Sequence, residues 1–503
     1  MPPRWRWTVP LCLALLAAPL GAQHVIYVDA DAPGTNDGSS WDNAFHDLQS
    51  ALDVAGASSV IKVADGTYQP SVLFIHGFQP TATFSLPDGL NLEGSFAGSG
   101  SPDPDARELS PPTSVLSGDL GVLGDEADNC WTVVTVVDGR VTLDGFTVRD
   151  GNNYAGLMKG AGLQIKNAAV TVENCFFTEN VVLFEGSAID MQNGVLTVRD
   201  SKFEGNHGHY GNPGGSAIEA EGSVVVADSS FTSNGGFCAG GGAISAGPSL
   251  EVEQCEFTYD TAMFGGGAIS GGNIKLRRCS FNGCGASGAY SVGGHGGAVY
   301  AGGSLVAVDC DFTGNHVTGS DWGGNAPGQG GAVWCGGDVE LRACQFINNA
   351  ADGSIYTGGF GGAVFVAGGA TTLVDCQLIE NTARSTYFSF GSEPPARGGA
   401  IYALEGTVTL DGCEVLNNES ESKLDFPNDV LGQGGGIYGD CVLQDCILWG
   451  NVADPKAVEA SQLTGGTTVV NFSVIQGWTG TLGGRGNSGT LPVGALPDDI
   501  GGR

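Results

Sequence analysis

Apolar and polar residues alternate with a two-residue period through most of the chain, and that alternation breaks at regular places. In Leu250-Glu251-Val252-Glu253-Gln254-Cys255-Glu256-Phe257, Leu250 and Val252 share one face, and so do Cys255 and Phe257. The parity changes between the two pairs. Two-residue alternation predicts strands, and a parity change between two apolar pairs predicts a corner. The corner residue is usually polar: Asn174, Asp200, Asp228, Gln254, Asp309, Asp375 and Asp445.

This unit recurs. A Gly/Ala element appears ten times, from Gly160-Ala161-Gly162-Leu163 through Gly241-Gly242-Ala243-Ile244 to Gly434-Gly435-Gly436-Ile437. Each is followed by an apolar anchor, with Asn three residues on in eight of the ten; the anchors are Phe177, Phe203, Phe231, Phe257, Phe281, Phe312, Phe346, Leu378, Val415 and Leu448. Each unit predicts a Gly-Ala-aliphatic strand, a second strand, a corner and a short third strand ending in Asn. Units of this length that cannot bury an apolar face alone must stack on their neighbours. Stacked, they form a parallel β-helix of about ten or more coils.

Stacking turns each register position into a ladder. Asn180, Asn206, Asn234, Asn315, Asn349, Asn381, Asn418 and Asn451 form one, with Asp260 and Cys284 in the two remaining coils. Stacked amides bond to one another and to turn backbone, so this ladder reads as structural. Cys175, Cys255, Cys279, Cys310, Cys344, Cys376, Cys413 and Cys446 form a second, two residues before the anchor, with Ser201 and Ser229 completing it. One shared register reads as a buried stack of small residues rather than a disulfide framework. Cys238 and Cys284 fall outside it and are the bridge candidates. No Cys-x-x-Cys occurs, so no tetrahedral metal site is read.

The ends differ from the repeat. Residues 41–55 place Ala44, Phe45, Leu48, Ala51, Leu52 and Ala55 on one helical face, predicting a helix that caps the first coil. Residues 1–22 carry Arg4 and Arg6, an apolar run from Val9 to Leu20 and small residues before Gln23, the pattern of an export signal. Residues 23–150 then read as cap and first coils, 151–455 as the repeat, and 456–503 as a Gly-rich tail of fading pattern.

Composition supports this picture. The 503 residues include 85 Gly, more than twice the ordinary share of about 7%. The apolar fraction of 41% is too high for a disordered chain, and the Gly positions keep no collagen period. A formal charge of −34 repels nucleic acid and anionic lipid. No transmembrane segment is expected after the signal, and a monomer is expected. No cofactor is implied, with surface Ca²⁺ the one ion the acidic charge allows.

The Gly-Gly-Ala-Ile and Phe-x-x-Asn elements resemble the repeats of polymorphic outer-membrane proteins and their secreted bacterial right-handed β-helix relatives. Ile26-Tyr27-Val28-Asp29-Ala30, Gly38-Ser39-Ser40-Trp41, Gly66-Thr67-Tyr68, Leu116-Ser117-Gly118-Asp119 and Leu143-Asp144-Gly145-Phe146 resemble the opening of that family. Ile447-Leu448-Trp449-Gly450-Asn451 and Ser473-Val474-Ile475-Gln476-Gly477 are similar to its choice-of-anchor C-terminal region. The resemblance implies an all-β, single-stranded, right-handed parallel β-helix of pectate-lyase-like type, placed outside the cell or on its surface. No membrane barrel follows the repeat in this sequence, and the anchor-like pattern decays after Gly486-Asn487.

Chemistry is less sharply marked. A lyase needs clustered carboxylates for Ca²⁺ beside a basic residue, and between Phe203 and Trp449 the bases are only Lys275, Arg277, Arg278, Arg342, Arg384, Arg397 and Lys423. His295 lies in a Gly-His-Gly string similar to a glycosidase motif, but inside an ordinary repeat. No catalytic residue is singled out. The segment between the Asn and the next Gly-Ala element varies in length, so the insertions leave the rod on one side. They carry Tyr210, Phe237, Phe264, Tyr290, Trp322, Tyr356, Phe360, Tyr387, Phe388, Phe390 and Phe426, with Asp321 and Glu393 nearby. Loops with aromatics on one flank are how a solenoid builds a binding face. Tyr290, Trp322, Tyr356, Tyr387, Phe388 and Phe390 are therefore the candidate ligand-binding residues, with a polysaccharide or cell-surface glycan as partner. A structural, adhesive or glycan-binding role is expected, with a polysaccharide lyase or glycoside hydrolase working beside the long C-terminal loops as the rival.

Overall fold

A computed structural model of the chain describes residues 24–71, 79–153, 159–183, 186–208, 215–236, 240–289, 291–320, 326–354, 357–385, 395–422, 432–453, 459–480 and 482–491. The export signal read at residues 1–22 lies outside them. Every pairing between strands is parallel, and the chain winds through three walls. The first wall is a 24-stranded sheet and the second a 14-stranded sheet, from Gly66–Tyr68 to Val474–Ile475. The third comes as a run of three strands and a run of seven. Fourteen rungs at about 4.8 Å make a rod roughly 60 Å long.

The coil differs from its sequence reading in one respect. The Gly-Ala-aliphatic strand and the second strand do not occupy separate walls: Ile244–Ala246 and Ser249–Glu253 both lie in the first wall. The third wall is built after the ladder Asn, from strands such as Thr261–Met263, Gly285–Ser287 and His316–Thr318. These strands are three residues long, too short to show an alternation. The corner is where the parity change puts it. Asp228, Gln254, Asp309 and Asp375 sit there with φ between 50° and 54°, the left-handed region that short polar side chains tolerate best. A second left-handed corner precedes the Asn, as at Tyr259 and Asn348.

Inside the rod, seven anchor rings from Phe177 to Phe346 stack coil on coil. Their centroids lie 4.6–5.1 Å apart and their planes within 7°. Each ring is 1% exposed or less. The paired glycines allow the coils to close this tightly: a Cβ on Gly297 would lie 2.0 Å from the Gly331 carbonyl oxygen, and one on Gly331 equally close to that of Gly362.

The Asn ladder runs as expected. Asn315 Nδ2 donates to Asn349 Oδ1 at 2.9 Å, and Asn349 and Asn381 repeat the bond at the same distance. Each amide also donates to the anchor carbonyl of the preceding coil, as Asn349 does to Phe312 at 2.9 Å. The chain of amides breaks once, where Cys284 follows Asp260.

All twelve cysteines among the described residues are buried free thiols. The bridge reading of Cys284 is therefore corrected: it fills an Asn position, with Sγ 3.7 Å from the Phe257 carbonyl. Cys238 lies outside the described residues. Burial pushes the thiols of Cys130 and Cys175 up to about 12, which leaves almost no thiolate at neutral pH. Because all twelve thiols are buried out of reach of reagent, iodoacetamide at pH 8 is expected to leave them unlabelled in the native protein and to label all of them in urea, read by peptide mass mapping.

The predicted capping helix is present but shorter. It spans Leu48–Val54, because Asp47 caps it by accepting from the Ser50 N–H at 2.8 Å. Phe45 precedes it and bridges to Val28. At the other end, pairing runs past residue 455 through Thr468–Asn471 and Val474–Ile475 to Gly483–Arg485. Among the described residues no helix is long and apolar enough to cross a membrane.

Candidate functional site

In each Gly-Gly-Ala-aliphatic strand the aliphatic residue points inward and the next residue outward, by the two-residue period of a strand. Val299, Val333, Val364, Ile401 and Ile437 are fully buried in the core. The residues after them are Tyr300, Trp334, Phe365, Tyr402 and Tyr438, in direct register across five successive coils. The register stacks the rings in one row along the outer face of the first wall. Centroids are 4.6 Å apart for Tyr300–Trp334, 6.2 Å for Trp334–Phe365, 5.2 Å for Phe365–Tyr402 and 5.3 Å for Tyr402–Tyr438. The planes of neighbouring rings lie within 15°.

The row has sharp ends. In the preceding coils the same position holds Thr135, Gln164, Asp190, Glu219, Ser245 and Ser270, and in the coil after it Thr464. The outer face is thus polar over its first half and aromatic over its second. Tyr300, Trp334 and Tyr438 keep part of their surface in water, whereas Phe365 and Tyr402 are 2% and 5% exposed.

A second row runs beside the first. His295, Gln329, Phe360, Arg397 and Gln433 are linked coil to coil by parallel bridges. They supply polar groups next to the rings. Trp334 Nε1 donates to Gln329 Oε1 at 3.0 Å, and Arg397 Nε to Gln433 Oε1 at 3.0 Å, with the guanidinium 4.9 Å from the Tyr438 ring centre. His295 lies 5.4 Å from the Trp334 ring, and burial holds its imidazole below the ordinary value, so it is neutral at pH 7. Together the two rows carry ten residues, among them one permanent cation and no carboxylate. Among the described residues this face presents the exposed parts of Tyr300, Trp334 and Tyr438 with amide, imidazole and guanidinium groups beside them, which suits an uncharged ligand.

The six ligand-binding residues read from the sequence, Tyr290, Trp322, Tyr356, Tyr387, Phe388 and Phe390, all lie outside the described residues, as do Asp321 and Glu393. The segments carrying Trp322, Tyr356 and Tyr387 rejoin the described chain at Ala326, Thr357 and Pro395, just ahead of the second row. Phe360 is described and belongs to that row, its ring 5.1 Å from that of Tyr402. The stacked row itself was missed in the sequence, although its signal is present. In five consecutive repeats, and in no earlier one, the residue after the aliphatic is aromatic.

Other charged side chains are paired or scattered. Lys275 meets Glu251 at 2.6 Å in solvent, and Arg342 meets Glu340 at 2.6 Å. Among the described residues no three His, Cys, Asp or Glu side chains converge as a metal-ligand set.

Comparison with known proteins places the fold. The family described as "Right handed beta helix region" matches residues 217–477, and one described as "Protein of unknown function (DUF1565)" matches residues 31–228. None of the curated proteins matches. Among solved structures, pectin methylesterase PemA from Erwinia chrysanthemi is 12% identical, over 61% of this chain and 82% of its own, with a TM-score of 0.29. Polygalacturonase from Erwinia carotovora ssp. carotovora is 10% identical, over 84% and 93%, with a TM-score of 0.26. The tailspike protein of E. coli bacteriophage HK620, solved in complex with a pentasaccharide, is 10% identical, over 88% and 74%, with a TM-score of 0.35.

Proposed function

We propose, from the premise that this chain belongs to the right-handed β-helix family, that it is an extracellular glycan-binding module. One observation carries the reading: five rings stacked in register on the outer face, from Tyr300 to Tyr438, flanked by a row of amide, imidazole and guanidinium groups. The apolar face of a sugar ring would pack on the exposed parts of Tyr300, Trp334 and Tyr438, and its hydroxyl edges would bond to the polar neighbours. A row parallel to the rod axis suits an extended polysaccharide rather than a small compact ligand.

Export past the membrane and retention at the cell surface, implied by the N-terminal signal pattern and the anchor-like tail, belong to the same proposal. So do the loop aromatics Trp322 and Tyr387, which precede the second row in sequence.

The test is a panel of neutral and acidic polysaccharides, read for retention and for newly released ends. Retention without products is expected. Trp334→Ala should weaken it about tenfold, the value of one lost ring contact of about 1.4 kcal/mol. Trp334 is only partly buried, so the coil should survive. Full-strength binding by Trp334→Ala would remove the row from the site. Products would favour the polysaccharide-cleaving reading, and silence on every glycan would leave a structural rod.

A further inference from the structure

A second feature lies at the opposite end of the rod, in the first coils, and owes nothing to the aromatic row. The strand Ser114–Ser117 ends at Gly118-Asp119, and the chain then makes an excursion through residues 120–129. It returns when the Cys130 N–H donates to the Gly118 carbonyl at 2.7 Å. The excursion is held open by its own contacts: Asp119 Oδ2 accepts from the Gly124 N–H at 2.8 Å, and Asp128 Oδ2 from the Val122 N–H at 2.7 Å. Asn152, at the start of the third wall, donates from Nδ2 to the Glu126 carbonyl at 3.0 Å.

Between loop and wall lies a cavity of about 580 Å³. Asp119, Asn129 and Asn152 line it, and in each the Oδ1 atom is buried with no hydrogen-bond partner. Asp119 and Asn129 are only 7% and 8% exposed. The bond from Asn152 Nδ2 to Glu126 fixes which way that amide points, so its oxygen is left over. Glu126, Asp150 and Glu179 line the same cavity, and the one basic side chain on it is the exposed His207.

Three residues that line one cavity each carry a buried acceptor with no hydrogen-bond partner. Leaving each bare costs about 1–3 kcal/mol. The lining side chains that can bond are four carboxylates and two amides against one imidazole, so acceptors outnumber donors. A hard cation with oxygen ligands answers all three at once, and Ca²⁺ takes six to eight oxygens from carboxylates, amides, backbone carbonyls and water. A ligand set of one carboxylate and two amides is wrong for zinc, which prefers nitrogen and sulfur.

We propose that Asp119, Asn129 and Asn152 bind Ca²⁺, with water completing the shell. The ion joins the 120–129 loop to the first strands of the third wall. Its role is to seal the N-terminal coils, where Asn152–Asn153, Val181–Val182 and His207–Gly208 form a run of only three strands.

Calorimetric titration of the chelator-treated full chain with CaCl₂ should show one site saturating well below 1 mM. Hydrogen exchange should slow in residues 119–130 and 150–153 when Ca²⁺ is present, with the C-terminal coils unaffected. Asp119→Asn, which removes charge but keeps shape, should weaken binding at least tenfold. Asp375→Asn, a corner carboxylate far along the rod, should leave it unchanged. Wild-type protein with no saturable site at 5 mM CaCl₂, or with protection spread evenly over the acidic surface, would overturn the proposal. So would undiminished affinity in Asp119→Asn. The wild-type exchange pattern decides the matter even if that variant folds poorly.

Discussion

Asp260→Asn is expected to stabilise the protein above pH 7 by as much as about 4 kcal/mol and to change little near pH 4. Asp260 stands in the Asn ladder and is fully buried. Its Oδ1 accepts from the Asn234 backbone N–H at 2.9 Å and from Asn234 Nδ2 at 3.0 Å. Its Oδ2 has no partner, in the place where other coils put an amide NH₂. Burial raises the carboxyl from its ordinary 3.8 to about 7, against the smaller opposing effect of those Asn234 bonds. The sign follows from linkage. The folded state keeps a proton that the unfolded chain gives up near 3.8. Stability is therefore fully present below about pH 4 and is lost as the pH rises through 7. An asparagine has no proton to lose and should donate to the anchor carbonyl as its neighbours do. Urea midpoints at pH 5 and pH 8 test this. The wild type should lose stability between those values and the variant should lose much less; parallel losses in both would mean that Asp260 does not titrate in this window.

Phe281→Ala should cost about 3–5 kcal/mol, the range for removing a buried ring. Phe281 is 1% exposed and stacks between Phe257 and Phe312, each 4.8 Å away. The cavity cannot close easily, because the coil spacing is fixed by backbone hydrogen bonds on three walls. A solenoid holds together through nearest-neighbour contacts, so the loss falls on the junction between two halves of the rod. Unfolding in urea should shift to lower concentration and broaden into two steps. Phe281→Leu should cost far less, since Leu378 occupies the same register in another coil. Equal losses in the two variants would show that the ring stack itself, rather than apolar volume, carries the stability.

Much of this architecture was legible from residue order. The parity change at Gln254 placed a corner that the backbone makes with φ of 53°. The registers of Asn349 and Cys344 placed two buried ladders, because every coil repeats the same cross-section and the same position meets itself. The third wall was not legible, since a strand such as Gly285–Ser287 has too few residues to display a period. The capping helix was overread at its start because Ala44 and Phe45 fit a helical face. Asp47 caps the helix after them, and Phe45 pairs with Val28 instead.

The candidate sites divide in the same way. Aromatic residues were sought where length varies, in the insertions, and all of those positions except Phe264 and Phe360 lie outside the described residues. The row from Tyr300 to Tyr438 lies where length does not vary. It was visible as an aromatic after each aliphatic, but it had no meaning until the coils were laid in register. The Asp119 cavity was not readable at all, because Asn152 lies 33 residues beyond Asp119 and meets it only across a turn of the helix.

The sequence by itself determined the coil, its corners and its ladders, since those follow from local period and from repetition. Tertiary structure alone decided which outward residues become neighbours, because stacking at about 4.8 Å brings together side chains some thirty positions apart. It also decided which buried oxygens are left without a donor, a property of the closed cavity that no single segment carries.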